Sequence, residues 1–507
     1  MKPFKGQYAV ARLLTVVLVI LPSNVLMGRI DHSSAEQAPI ENRTIDDRDM
    51  AIAIEAELQV DRTVPHDRIA VTVKNGIVTL KGEVGTLLAR DRAVYIAETI
   101  RGVRAIVNQV EVNPGEKYAD LTDQEIIHRV TRSLRSDPAT RDLKIRVTST
   151  DNSVTLLGEV DSHQEKALGE AIAKGVKGVQ AITNKLTVVH RPRADDDIEA
   201  DIVRRWESDP WLDESLLGLI VENGTVSLTG TVGSLDEKRR AVRDARVNGV
   251  RSVEARTLDV RWWARNRMRR SPGDRRRPDE QIRKALELAL KYDPRTRRSA
   301  IEVAVSDRMV TLSGTVDSLD SKKAAESDAE NITGVRRVLN HIEVSQLFEP
   351  TDSDVRREVR RALLEDPFLQ GAPMIDVQFR GGTVSLSGTV HSLFDKARAE
   401  TITARMPGVM DIKNNLRSLV PLTGRRDALI QRRIQEGMKW NPYLYDQNIT
   451  VGVEDGQATL TGTVYSLAES RLATKKAYEG GALSVRDHLD IGGKPIPHSL
   501  ESLNHPE

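Results

Sequence analysis

Apolar positions along this chain switch period at regular intervals. Where they fall three and four residues apart, as in Val355, Val359, Ala362 and Leu363 or Ile282, Ala285, Leu286 and Ala289, they predict amphipathic helices. Each such stretch gives way to alternation, as in Ile69, Val71, Val73 followed by Val78, Leu80, Val84. Ile375, Val377, Phe379 and then Val384, Leu386, Val390 repeat the arrangement. Period two predicts a pair of strands with one buried face. Asn75-Gly76, Asp455-Gly456 and Gly381-Gly382 separate such pairs, and these residues accept the φ > 0 of a tight β-hairpin turn. A second helical stripe follows (Ala93, Ile96, Ala97, Ile100), then a closing strand such as Val103 to Val112, Val179 to Val189 or Val335 to Val344.

The hairpin is plainest in Asn223 to Ser234 and returns at Asn75 to Thr86, Asn152 to Ser162, Asp307 to Ser318, Gly381 to Ser392 and Asp455 to Ser466. Its inner glycine stands at Gly82, Gly158, Gly230, Gly314, Gly388 and Gly462, in steps of 76, 72, 84, 74 and 74 residues. Such spacing means one structural module copied six times. The fold class is therefore α+β: a tandem array of six small α-β-β-α-β repeats, each two helices on a three-stranded mixed sheet. The returning second helix requires the closing strand to run parallel to the second hairpin strand if it joins that sheet. The order of strands is left open. The repeats are expected at 46–114, 120–191, 195–262, 278–346, 351–420 and 424–491, with an Arg-rich linker at 263–277 and a tail at 492–507. Modules of about 70 residues are marginal alone, so neighbouring copies are expected to lean on one another.

Punctuation repeats as well. Asp137-Pro138, Asp209-Pro210, Asp293-Pro294, Asp366-Pro367 and Asn441-Pro442 end the first helices, because a residue before proline is pushed out of the α region. The first repeat departs from this, with Pro65 placed later. Acidic starts such as Asp195-Asp196-Asp197 suit the positive end of a helix dipole. Gly102, Gly178, Gly249, Gly334, Gly408 and Gly481 follow the second helical stripe and read as left-handed helix caps. A glycine inside a strand weakens it unless something lies close to the backbone, so a helix is expected to cross at the inner glycines.

This pattern of hairpin glycine, Leu-x-Gly-x-Val, helix, Gly-Val and a strand near Asn108, Asn184, Asn340 or Asn414 resembles the BON domain, named from bacterial osmotic-shock protection and nodulation. Ala255 and Asp487 replace the asparagine in the third and sixth copies. The resemblance implies a non-enzymatic envelope protein, periplasmic or associated with the outer membrane. It further implies a partner that is an anionic phospholipid surface or an envelope protein.

Composition narrows the alternatives. Over 507 residues the chain is 29% charged and 39% hydrophobic, ordinary for a soluble globular protein. A net charge of +1 argues against a globally basic nucleic-acid binder. Aromatics make up only 4%, so the cores must be built from Val, Ile, Leu and Ala. With no cysteine there are no disulfides, thiolate nucleophiles or zinc–thiolate sites. Lys2, Lys5 and Arg12 precede an apolar run from Leu13 to Leu21, so residues 1–28 read as a secretory signal peptide or an uncleaved membrane anchor, and 29–45 as a polar tether. The expected location is the periplasm, membrane-associated or anchored by this segment. None of the ten histidines lies three or four residues from another, and no P-loop, His-Glu-x-x-His or Gly-x-Ser-x-Gly motif occurs. No catalytic residue, metal or cofactor is expected.

The longest glycine step holds Arg261 to Arg270 and Arg275 to Arg277, eight arginines against the single Asp274. Trp favours the membrane interface and Arg favours phosphate, which makes Trp262, Trp263, Arg265, Arg267, Arg269 and Arg270 candidate lipid-binding residues. The alternative is a solvated linker whose tryptophans cap the edge of the third repeat. At the level of function the expectation is membrane docking in support of envelope integrity, with a protein-interaction scaffold or holdase as the alternative.

Overall fold

Six helices, each of 14 residues and each beginning on an aspartate, open the six repeats: Asp47–Val60, Asp123–Ser136, Asp195–Ser208, Asp279–Tyr292, Asp352–Glu365 and Asp427–Trp440. They belong to a computed structural model that describes residues 45–492, apart from 62, 114–120, 190–191, 213, 265–276, 346–350, 367, 370–374, 392 and 419–426. The expected signal or anchor (1–28), all but the last residue of the tether and all but the first of the tail lie outside the described residues.

The leading aspartate does more than complement a dipole. In repeat 1 the turn amides of Asn75 and Gly76 donate to Asp47 at 2.6 and 2.9 Å. Asn223 and Gly224 donate to Asp195 at 2.7 and 2.9 Å, and Asp455 and Gly456 to Asp427 at 2.9 Å each. Asp123 and Asp279 hold their own turns in the same way. One carboxylate thus fastens the hairpin turn to the first helix and satisfies two amides that the turn leaves unpaired.

The hairpins run Ile69–Lys74 with Ile77–Val84, Arg146–Thr150 with Ser153–Val160, Leu217–Glu222 with Thr225–Val232, Ala300–Ser306 with Met309–Val316, Asp376–Arg380 with Thr383–Val390, and Asn448–Glu454 with Gln457–Val464. Thr86, Ser162, Ser234, Ser318 and Ser466, the last residues of five of the hairpin motifs, are N-caps of second helices. Thr86 Oγ1 accepts from Ala89 N at 3.0 Å and Ser234 Oγ from Glu237 N at 3.2 Å, as Ser/Thr caps do. The second helices are Leu87–Glu98, His163–Lys174, Leu235–Asp244, Leu319–Glu330, Leu393–Ala404 and Leu467–Glu479. Among the described residues this makes twelve α-helices. Closing strands Ala105–Val112, Ala181–Val188, Asp411–Ser418 and Ser484–Ile491 are continuous. In repeat 3 the strand is split into Ser252–Glu254 and Leu258–Val260, and in repeat 4 into Arg337–Asn340 and Glu343–Val344.

In every sheet the second hairpin strand is central, antiparallel to the first and parallel to the closing strand. Leu80, for example, stands opposite Val71 on one side and Asn108 on the other. Each repeat carries its own core, and small residues let the second helix sit close to the sheet. Ala93 and Ala97 in repeat 1, Ala325 and Ala329 in repeat 4, and Ala473 and Ala477 in repeat 6 are all fully buried, facing Leu80, Leu312 and Leu460. Alanine also favours the helix intrinsically, so one residue serves both packing and propensity.

Two expectations about glycine are corrected. A Cβ on Gly230 would lie 2.0 Å from Leu216 O, and one on Gly82 would lie 1.9 Å from Arg68 O. The close neighbour is the backbone entering the first hairpin strand, not a crossing helix. The second-helix glycines are also not helix caps in general. The second helix of repeat 1 ends at Glu98 with Thr99 as C-cap, and Gly102 comes three residues later at φ +95°. It occupies the turn into the closing strand, where a Cβ would meet Met50 Sδ at 2.7 Å. Only Gly481 directly follows a C-cap, Gly480.

The asparagine near the middle of the closing strand has a structural task. Asn184 Nδ2 donates to Lys166 O and to Glu170, both at 3.0 Å, and Asn414 donates to Lys396 O and Glu400 at 2.9 and 3.1 Å. The side chain pins the strand to the second helix. In repeat 6 Asp487 keeps the link with the donor reversed, accepting from Ser470 and Thr474.

Candidate functional site

Trp263 packs against the core of repeat 3, Trp262 is half-buried, and Ala264 is fully buried with its N–H donated to Arg261 O at 2.9 Å. Arg265, Arg267, Arg269 and Arg270 lie outside the described residues. Past them, Arg277 donates to Glu207 O, also in repeat 3, at 3.2 Å. Both described flanks of the basic segment are therefore fixed to the same repeat. Asp196 and Asp197 stand beside Asp195, whose carboxylate is committed to the hairpin turn.

What the alternating pattern could not locate is the set of contacts between repeats that are distant in sequence. At the junction of repeats 1 and 6, Lys476 Nζ lies 2.9 Å from Glu57 and 3.0 Å from Glu479, and Arg92 reaches Glu479 at 3.1 Å. Burial opposes ionisation of Glu479, but Lys476, Lys475 and Arg92 outweigh it and hold the carboxyl down at about 2. Arg101 N donates to Trp440 O at 2.9 Å, and its guanidinium lies 4.5 Å from the centre of the Tyr445 ring. Repeat 3 joins repeat 1 through Arg239 and Glu98 at 2.5 Å.

Repeats 3 and 6 meet over an aromatic pair, Trp211 and Tyr443, with ring centroids 4.4 Å apart. Tyr443 Oη donates to Asp236 at 2.7 Å, and Arg240 Nε lies 2.8 Å from the same carboxylate. The Arg240 guanidinium also stands 5.4 Å from the centre of the Trp211 ring, within range for a cation–π contact. Burial works against Asp236, yet Arg240 and Arg239 hold it at about 2. Repeats 2 and 4 are tied by Arg297 to Asp161 and Glu165, at 2.8 and 2.9 Å.

The Asp of the Asp-Pro signal takes part in this network. Asp366 receives Arg398 at 2.8 Å, Asp209 has Arg243 at 3.4 Å and Arg240 at 3.6 Å, and in repeat 1 Asp61 takes the place and receives Arg92 at 2.6 Å. The sequence showed a helix stop there. The buried partner required by its carboxylate lies about 30 residues on, and no local pattern marks it.

One carboxyl at the junction of repeats 3 and 4 is poorly served. Burial and then Asp293 push Asp328 up to about 8, against Arg295, Arg205 and Arg243, and its Oδ2 is buried with no hydrogen-bond partner. The folded chain therefore keeps a proton that the unfolded chain releases from about pH 4 upward. This contribution to stability falls as pH rises from about 4 to 8 and is level above that. Asp328→Asn is expected to be more stable than the wild type by ~1–3 kcal/mol at pH 8, with the gain vanishing near pH 4. Urea unfolding at the two pH values measures it, and an equal difference at both would refute the assignment.

The model of the BON domain matches residues 46–114, 122–190, 194–261, 278–346, 351–418 and 426–493. The chain is similar to osmotically-inducible protein Y of Escherichia coli, 27% identical over 147 residues, which is 28% of this chain and 72% of that protein. It is also similar to the outer membrane lipoprotein DolP of Haemophilus influenzae, 26% identical over 140 residues, 27% of this chain and 72% of the relative. A 21 kDa hemolysin of Actinobacillus pleuropneumoniae is 25% identical over 163 residues, 31% of this chain and 82% of that protein. Six matches on six α-β-β-α-β modules make this chain a member of the BON domain family.

Proposed function

We propose that this chain is an exported, non-enzymatic BON-repeat protein of the periplasm that docks on anionic phospholipid and supports envelope integrity under osmotic stress. The observation that carries the reading is the Arg-Trp segment, eight arginines against one aspartate between Arg261 and Arg277. Its flanks are held on repeat 3 by Trp263, Ala264 and Arg277. Such a density of guanidinium groups suits a phosphate-rich surface, at about 1 kcal/mol for each residue near it. The names of two relatives, one osmotically inducible and one an outer membrane lipoprotein, support an envelope setting. So does the basic start and apolar run of residues 2–21. Among the described residues no helix is long and apolar enough to cross a membrane.

Flotation with vesicles of phosphatidylglycerol and phosphatidylcholine tests this. The full chain is expected to float with the anionic vesicles at 0.1 M salt and to be released at 0.5 M, since the attraction is screened. Substituting Ser at 265, 267, 269 and 270 is expected to reduce recovery at least tenfold. Equal recovery on neutral vesicles, or none lost in the substituted chain, overturns the reading.

A second reading, a protein-interaction scaffold or holdase, is favoured by the way the helices are used. Helices of different repeats bind one another, while among the described residues no strand of one sheet pairs with another sheet, and the outer faces bear exposed apolar residues such as Val107 and Ile220. Open edges can accept a further strand from another chain. Suppression of client aggregation without lipid, unaffected by the four serines, would select it.

A further inference from the structure

Between repeats 2 and 5 the helices do not close on one another. They leave a cleft of about 240 Å³. Repeat 2 contributes Arg129 and Arg132 from its first helix and Lys177 from the turn after its second. Repeat 5 contributes Arg361, Arg398 and Arg405. Against these six cations stand three carboxylates on the walls, Asp137, Glu365 and Asp366. Asp366 is fully engaged by Arg398, at 3.0 Å to Nε and 2.8 Å to Nη2. Glu365 lies 3.7 Å from Arg132. Asp137 accepts Ala139 N at 3.0 Å, and burial pushes its carboxyl up, so its charge is the one most easily given up.

Two donors are left over. The Nε atoms of Arg361 and Arg405 are buried and have no hydrogen-bond partner. Arg405 Nε lies 4.0 Å from Asp320 on repeat 4 and its charge also acts on Asp137, while Arg361 uses Nη2 on Glu358 of its own helix. Buried N–H groups without an acceptor are costly, and the six cations still outnumber the five carboxylates when Glu358 and Asp320 are counted with those on the walls, which adds to the demand for an anion. The remaining wall is apolar, with Leu168, Ile172, Val176 and Met406 among its residues. Water could fill the cleft but would leave the charge uncompensated. Chloride would ignore the apolar wall.

We propose that this cleft binds a phosphate-class oxyanion carrying a short apolar group, with Arg361 and Arg405 as the donors that recognise the oxyanion. The forked donors of arginine match the oxygen edge of a phosphate, and the aliphatic wall takes the substituent. The source is either a soluble organic phosphate or the headgroup end of a lipid, since both present the same chemistry. The site does not involve residues 261–277 and stands or falls separately from membrane docking through them.

Calorimetric titration of the full chain with hexyl phosphate in a chloride buffer tests the proposal. One site per chain is expected, with affinity at least tenfold above that for inorganic phosphate. Arg361→Gln with Arg405→Gln is expected to weaken hexyl phosphate at least tenfold. Arg283→Gln, on an exposed helix face of repeat 4, is expected to leave it unchanged, as are the four serines at 265–270. The unliganded melting temperature of the double variant should match the wild type. If it does not, Arg405→Lys, which keeps the charge and loses the fork, must show the same loss in a folded chain. Phosphatidylglycerol vesicles separate the sources: lipid recovery lost in the double variant assigns the headgroup, and recovery retained assigns the soluble phosphate. Absence of saturable binding, or binding unaltered in the double variant, refutes the site.

Discussion

Gly230→Ala is expected to abolish the native hairpin of repeat 3. The added Cβ would fall 2.0 Å from Leu216 O, 3.1 Å from Leu216 C and 3.2 Å from Leu217 Cα. These are backbone atoms at the entry to the first hairpin strand, which its ladder holds to the residues around Gly230, so no rotamer change can relieve the overlap. The residue also sits at φ +108°, where an L side chain is strained whatever the space. A loss of at least ~3 kcal/mol follows from the two effects together. The contrasting substitution is Gly452→Ala, also in a strand of a hairpin but with nothing within 4 Å of the added atom. There the smaller entropy of the unfolded chain should make alanine neutral or stabilising by ~0.5 kcal/mol. Urea unfolding of both variants decides. A loss below about 1 kcal/mol at Gly230 would mean that the strand shifts register to make room. Because repeat 3 is bonded to repeats 1, 2, 4 and 6, its failure should broaden the whole transition.

The glycine case shows how sequence and structure divide the problem. The step between Gly82, Gly158 and Gly230 was legible because a turn, a strand interior and a cap-like position are each set by local backbone chemistry. So were the α-β-β-α-β order and the parallel pairing of the closing strand, which follow from period and handedness. What lies against the inner glycine was misread, because a close approach has no signature of its own and a helix or a strand produces the same residue. The N-cap role of Ser234 and the turn-holding role of Asp195 were present in the motif, disguised as a turn residue and a dipole effect.

The junctions between repeats were not legible at all. Lys476 pairs with Glu57 across more than four hundred residues, and each sits in a helix whose charged face reads as solvated. The six-cation cleft was hidden for the same reason. Its arginines come from the first helix of repeat 2 and from both helices of repeat 5 and the turn after them, and they form a cluster only when those elements meet. The Arg-Trp segment, by contrast, is contiguous, and so it drew attention before any cluster built by folding could. Within it, Trp263 is occupied by the core of repeat 3, which shifts the weight of any lipid contact onto the arginines.

Arg240→Met is expected to separate repeat 6 from repeat 3 at a cost of about 3–5 kcal/mol, the range for removing one member of a buried ion pair. Methionine keeps most of the volume and the contact with Trp211, so the loss reports the charge. Without Arg240, the nearly buried Asp236 retains Arg239 at 2.7 Å and Tyr443 Oη at 2.7 Å, and Asp209 is left with Arg243 at 3.4 Å. The pH dependence identifies the cause. Asp236 is held at about 2 in the folded chain against 3.8 for the free side chain. Its contribution is therefore present in full above about pH 4 and is lost as pH falls towards 2. In Arg240→Met that dependence should shrink, because burial then opposes ionisation with less to offset it. The variant should differ from the wild type most at pH 7 and least near pH 2.5. Adding Asp236→Asn should recover part of the loss at pH 7, since the amide leaves no charge to compensate. Amide exchange of the second helices of repeats 3 and 6 would place the effect at this junction. If exchange quickens throughout repeat 3 but not in repeat 6, Arg240 supports only its own module and the inter-repeat role is wrong.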